Sequence, residues 1–159
     1  MKASTPAVAA AVRAGIAHRV LEYRHDPDAE AVGVHAATAL GLPVERVFKT
    51  LVADTGERLL VAIVPVAARL DLKALAVLAE VKRVEMADPK AAERATGYVV
   101  GGISPLGQQR RLATFLDASA LAFPTIFVSA GKRGLELELS PADLLALTGG
   151  SAGPIASGG

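Results

Sequence analysis

At 159 residues, with 17 lysines and arginines against 16 aspartates and glutamates, the chain suits one domain and lacks the basic excess of a broad nucleic-acid face. It has no cysteine, which excludes disulfides, thiolate zinc sites and a cysteine nucleophile supplied by the protein. Aromatic residues make up 4%, none of them Trp, which argues against gripping a single strand by stacking many bases.

Thr5-Pro6 combines an N-cap with a proline at the first helical position, and Gly15 supplies a C-terminal stop. The alanine-rich run Ala7–Val12 is interrupted by Arg13, so it does not read as a secretory leader; a soluble, cytoplasmic protein without membrane contact is expected. Ala17–Arg24 reads as extended, and Ala31–Leu40 as a helix ended by Gly41. Arg46–Ala53 and Arg58–Val64 are strand candidates joined by the hairpin signal Asp54-Thr55-Gly56-Glu57. The apolar run Leu59–Ala68 is about half of the ~20 residues a membrane helix needs, and it contains Pro65. It reads as a buried strand entering a turn.

Asp71 caps a helix over Leu72–Ala79, Lys82–Met86 is a short strand, and Asp88-Pro89 opens a helix ending near Gly97. Arg111–Leu116, Thr125–Ser129 and Leu135–Leu139 read as strands, and Ser140-Pro141-Ala142-Asp143 begins the last helix. Gly149–Gly159 is almost wholly Gly, Ser, Ala and Pro, so a disordered tail is expected after a domain spanning 1–148. Hairpins mixed with helical connections predict a single α/β domain with a mixed sheet.

Three segments carry chemistry. In Val47-Phe48-Lys49-Thr50-Leu51-Val52, period-2 alternation sets Lys49 on the face of Val47 and Leu51, with Phe48 and Thr50 on the other. Flanked by apolar residues, Lys49 is expected to be partly desolvated, although a lysine snorkelling at a sheet edge is the more ordinary reading of the strand alone. The loop Gly97-Tyr98-Val99-Val100-Gly101-Gly102-Ile103-Ser104-Pro105-Leu106-Gly107 can bring backbone N–H groups close to a ligand oxygen; an ordinary glycine-rich turn fits equally well. In Ser129-Ala130-Gly131-Lys132-Arg133-Gly134-Leu135-Glu136, a hairpin with a solvated basic tip competes with a phosphate contact from Lys132 or Arg133, with Ser129 and Glu136 facing a pocket. His18, His25 and His35 match no metal-ligand spacing, and no Ser/His/Asp triad can be assembled. Neither a metal nor another cofactor is expected.

Taken in order, these segments resemble the YbaK/EbsC family of bacterial aminoacyl-tRNA deacylases, from Thr5-Pro6-Ala7 through Ser140-Pro141-Ala142-Asp143-Leu144. Tyr23 with His25-Asp26, Val64-Pro65, Leu70-Asp71-Leu72-Lys73 and Ala87-Asp88-Pro89 belong to the match, and the Gly97–Gly107 and Ser129–Glu136 segments are its most specific parts. Within the family the resemblance is to free-standing deacylases of Cys-tRNA(Pro), relatives of the editing domain inserted in bacterial prolyl-tRNA synthetases. It implies a mixed, strongly curved β-sheet surrounded by helices. It implies catalytic roles for Lys49, which positions the tRNA 3′ end, and for the backbone of Gly101 and Gly102, which stabilises an oxyanion. Tyr23, Phe48, Thr50, Ser129 and Glu136 are implied to bind substrate, Glu136 standing where relatives often have Asp. No residue of the chain is an obvious nucleophile, and the resemblance implies that the substrate's own thiol attacks the ester. The implied partners are the 3′ end of tRNA(Pro) and prolyl-tRNA synthetase. A deacylase for Ala-tRNA(Pro) or another misacylated tRNA, and a non-catalytic aminoacyl-tRNA-binding module, are the competing readings.

Overall fold

Side-chain caps set most of the helix boundaries in the computed structural model, which describes residues 4–26, 28 and 31–158. α1 (Pro6–Ala14) starts at Thr5, whose hydroxyl accepts the Val8 N–H at 3.1 Å and donates to the Ala130 carbonyl at 2.5 Å. α3 (Leu72–Ala79) is capped by Asp71, α4 (Pro89–Thr96) by Asp88 and α5 (Pro141–Thr148) by Ser140. Each such cap contributes roughly 1 kcal/mol by satisfying an orphan N–H of the first turn. α2 (Val32–Leu40) has no side-chain cap and closes at Gly41, as its sequence pattern predicts.

The strands are β1 (Arg19–Glu22), β2 (Phe48–Asp54), β3 (Leu59–Pro65), β4 (Arg69–Leu70), β5 (Glu85–Met86), β6 (Ala113–Asp117), β7 (Ile126–Lys132), β8 (Leu135–Leu139), β9 (Ser151–Gly153) and β10 (Ala156–Ser157). Five of them form one sheet in the order β5-β2-β3-β6-β9. β2 and β3 make the expected antiparallel hairpin, whereas β3–β6 and β6–β9 pair in parallel, so the sheet is mixed. β1, β8 and β7 form an antiparallel three-stranded sheet, joined to the first by a bridge between Val47 and Phe127.

The uninterrupted apolar run of β3 has a plain cause. Val61 and Ile63 enter a core with Phe48, Val128, Leu137 and Leu144, while Leu60, Ala62 and Val64 enter another with Leu75 and Ile155. A strand buried on both faces loses the polar alternation of a half-exposed one. Arg46 departs from its expected place in β2. Residues 44–46 form a 3-10 turn, and the Arg46 guanidinium donates to the Thr125 carbonyl from Nε at 3.0 Å and Nη2 at 2.8 Å while lying 5.2 Å from the Phe127 ring centre.

The disordered tail expected after residue 148 is corrected by the structure. β9 lies in parallel beside β6, β10 pairs antiparallel with β4, and Ile155 is wholly buried. Buried Asp117 accepts the N–H groups of Ile155 and Ala156, each at 2.9 Å. Low-complexity composition misleads here because the backbone makes the ladder and small residues permit its close approach. A Cβ on Gly150 would sit 2.8 Å from the Thr114 carbonyl oxygen, and one on Gly153 2.8 Å from Leu78. Among the described residues no helix is long and apolar enough to cross a membrane.

Candidate active site

β2 is paired with β3 along its whole length, but its other edge is held only at the ends. Val47 bridges to Phe127 just before the strand, and Ala53 and Asp54 pair with β5 at its close. Between those points the edge opens onto a cavity of about 450 Å³. The Val66 N–H reaches the Val47 carbonyl on the β3 side, and the Ala87 N–H reaches the Val52 carbonyl on the other, each at 2.9 to 3.0 Å. Alternation along the strand therefore turns the backbone groups of Thr50 toward the cavity.

Lys49 lies on the cavity wall, half-buried. Burial, with Arg69 as a lesser like charge, holds its ammonium pKa below the usual lysine value. Among the described residues no carboxylate pairs with it. Two residues along from the Val47–Phe127 bridge on each strand stand Lys49 and Ser129, and both face the cavity. Ser129 is directly opposite Glu136 in the β7–β8 ladder, so the two share a face. The Ser129 hydroxyl accepts the Gly131 N–H at 3.1 Å. Glu136 is 6% exposed, its Oε1 has no partner, and burial pushes its carboxyl pKa up to about 8. Phe48 and Thr50 also line the wall, and the buried Thr50 hydroxyl has no partner.

The two glycines expected to act together divide. Gly101 (φ 94°) is on the wall, and its N–H has no acceptor among the described residues. The Gly102 N–H donates to the Val99 carbonyl at 2.8 Å, and a Cβ at Gly102 would come 2.8 Å from the Lys132 Cα. Gly102 is therefore corrected from oxyanion donor to a close-packing position, because its donor is already committed within the turn. Tyr23 does not line the cavity. Its N–H is bonded to the Gly134 carbonyl at 3.0 Å and its ring is edge-on to His35 at 5.8 Å. Burial raises its hydroxyl pKa, and both Glu136 and Arg133 act on it electrostatically.

Sequence reasoning missed the apolar walls: Val32 and Gly33 from α2, Leu51 of β2, and Met86, Ala87 and Pro89 at the entrance to α4. One signal was available. Gly33 interrupts a helical pattern, and a Cβ there would lie 2.3 Å from the Val66 side chain, so only glycine lets α2 settle against the end of β3. Among the described residues no three His, Asp or Glu side chains gather to hold a metal ion.

A half-buried unpaired cation, a free N–H and a buried carboxyl around an apolar cavity suit binding and polarising a small ester rather than attacking it. The family profile described as the aminoacyl-tRNA editing domain matches residues 26–147. A curated Enterococcus faecalis protein named as a Cys-tRNA(Pro)/Cys-tRNA(Cys) deacylase, EbsC, is 44% identical over 117 residues, 72% of this chain and 70% of that one. A crystal structure described as a trans-editing enzyme for prolyl-tRNA synthetase superposes with a TM-score of 0.85 at 27% identity, covering 99% of this chain and 100% of the other. Hypothetical protein APE2540 has the same fold, with a TM-score of 0.85 at 24% identity over 96% of this chain and 100% of its own. With the match spanning most of its length and the cavity inside it, the chain belongs to the aminoacyl-tRNA editing domain family.

Proposed function

We propose that this protein hydrolyses Cys-tRNA(Pro) in trans, clearing a product of prolyl-tRNA synthetase mischarging. Family membership makes aminoacyl-tRNA the substrate class and deacylation the reaction. The cysteine specificity rests on one observation: the cavity offers stabilising groups and no activated nucleophile. Among the described residues no histidine lines the wall, and neither the Ser129 hydroxyl, which accepts the Gly131 N–H, nor the Thr50 hydroxyl has a partner that takes its proton.

In this reading the substrate cysteine thiol attacks its own ester carbonyl. A C–S bond forms, the C–O bond to the ribose breaks, and the thiol proton ends on the ribose oxygen; water then opens the resulting thiolactone. The Gly101 N–H faces the developing oxyanion, a contact of roughly 3–4 kcal/mol when one such donor is removed. Lys49 supplies a compact charge that positions the terminal ribose and its ester. Ser129, Thr50 and Glu136 shape the amino-acid end, with Phe48 as an apolar wall. Thiol reactivity supplies selectivity that a small pocket lacks, since one methylene or hydroxyl is worth only ~10–200-fold in binding.

The near-neutral charge favours recruitment through a synthetase over strong intrinsic tRNA affinity. Deacylation of Cys-, Ser- and Ala-tRNA(Pro) by the native protein tests the reading. Rapid release from the cysteinyl substrate alone is expected. Comparable rates on the seryl or alanyl substrate would replace the thiol route with attack by water.

A further inference from the structure

The catalytic cavity has a neighbour. A second groove of about 320 Å³ is lined by Gly97, Val99, Val100, Gly102, Lys132 and Arg133, and it shares Val100 with the cavity. The β7–β8 ladder shifts register between Ser129 and Lys132, Lys132 closes it opposite Leu135, and Arg133 follows in the turn, so the two cations stand side by side at the hairpin tip. Both are exposed, and among the described residues neither has an acidic partner within ion-pair distance. The Arg133 guanidinium packs over Gly101, where a Cβ would lie 2.5 Å from its Nε. Val99 and Val100 are 71% and 42% exposed beside these charges. Gly102 and Gly131 also line the groove, and their missing side chains let the Gly97–Gly107 loop pack directly against the β7–β8 hairpin, a Cβ at Gly102 coming 2.8 Å from the Lys132 Cα.

We propose that this groove holds the phosphodiester that joins the aminoacylated nucleotide to the one before it. Lys132 and Arg133 contact the phosphate, and Val99 and Val100 form an apolar shelf for the penultimate nucleotide. The inference rests on the editing reading and deepens it. Continuity with the cavity fixes the direction of the strand: the terminal ribose and ester enter past Gly101, and the linking phosphate stays outside under Arg133. Unpaired cations beside bare apolar surface match the alternation of phosphate and base in a single strand.

The test uses the cysteinyl ester of the dinucleotide CpA with either a natural phosphodiester or a neutral methylphosphonate linkage. The native protein is expected to favour the charged linkage by about tenfold in kcat/KM, mostly through KM, as one charge-assisted contact gives. Lys132→Ala and Arg133→Ala should each shrink that preference and weaken the salt dependence of kcat/KM on the charged substrate. Lys132→Arg should retain it. Equal kcat/KM for both linkages in the native protein overturns the proposal, as does a preference unchanged in both alanine variants. Titration with unacylated CpA keeps the two readings apart. If neither ester is hydrolysed, the editing reading fails, while tighter binding of charged CpA that both alanine variants weaken still supports the groove. Equal affinity for the two linkages rejects it.

Discussion

Ser129 and Glu136 face each other across the β7–β8 ladder, one hydroxyl bonded to the loop and one carboxyl oxygen bonded to nothing, both turned toward the cavity beside β2. A carboxyl stripped of water prefers its proton, which is why burial pushes the Glu136 carboxyl up to about 8. It is thus able to donate a hydrogen bond to an acceptor on the substrate, a role closed to an ionised carboxylate.

That burial makes stability depend on pH. The folded-state pKa lies above the ordinary glutamate value of 4.5, so folding holds a proton that the unfolded chain releases. The destabilising effect of Glu136 is absent below about pH 4.5, grows as pH rises toward 8, and is complete above it. Glu136→Gln removes the titration. Its melting temperature relative to the native protein should rise between pH 5 and pH 9, as measured by calorimetry across that range. A constant difference would mean that the carboxylate finds water or a cation in solution.

Lys49→Ala separates activity from stability. Loss of the charge should lower kcat/KM for the aminoacyl-tRNA by about 10²-fold or more, by the reasoning that transition-state contacts are worth several kcal/mol. Thermal stability should hold or rise, because a half-buried ammonium without a carboxylate partner is removed. Lys49→Arg should recover little, since the planar fork of arginine does not reproduce a compact ammonium. A stable, fully active alanine variant would remove Lys49 from the mechanism.

The two glycines should respond differently to alanine. At Gly101 the new methyl meets the Arg133 guanidinium, a flexible group that can swing away, but φ 94° strains any L residue and shifts the N–H. Gly101→Ala is therefore expected to lower kcat by roughly 10²–10³-fold, the usual effect of losing one oxyanion donor. At Gly102 the methyl meets the Lys132 backbone, which cannot move alone. Gly102→Ala should chiefly lower the melting temperature. Parallel kinetics and melting curves for the pair decide this.

The C-terminal segment offers a stability test. Asp117→Ala leaves the Ile155 and Ala156 N–H groups without their shared acceptor, and Ile155→Ala opens a void at a wholly buried position. Each is expected to cost about 2–5 kcal/mol in denaturant titration, against a small effect for a surface change such as Glu57→Ala. A chain ending at residue 148 should be less stable still.

Much of this was legible in the linear chain because it depends on local chemistry. Thr5, Asp71, Asp88 and Ser140 sit where a side-chain oxygen can reach an N–H three residues on, so the helix starts could be read directly. The Asp54–Glu57 turn announced the hairpin because Gly56 takes a positive φ and the Asp54 carboxylate accepts its N–H at 2.8 Å. Lys49 stood out as one charge in an apolar strand, and its partial desolvation follows from its neighbours on that face.

Tertiary structure alone decided the rest. The open edge of β2 exists because β7 and β5 pair with its ends and leave its middle free. The division between Gly101 and Gly102 depends on where one carbonyl, that of Val99, happens to point. The ordering of residues 151–157 depends on β6, β4 and Asp117, brought there from elsewhere in the chain. Caps, turns and strand periods are set within a few residues, whereas cavities, committed donors and ladders between distant strands are set by partners that only folding brings together.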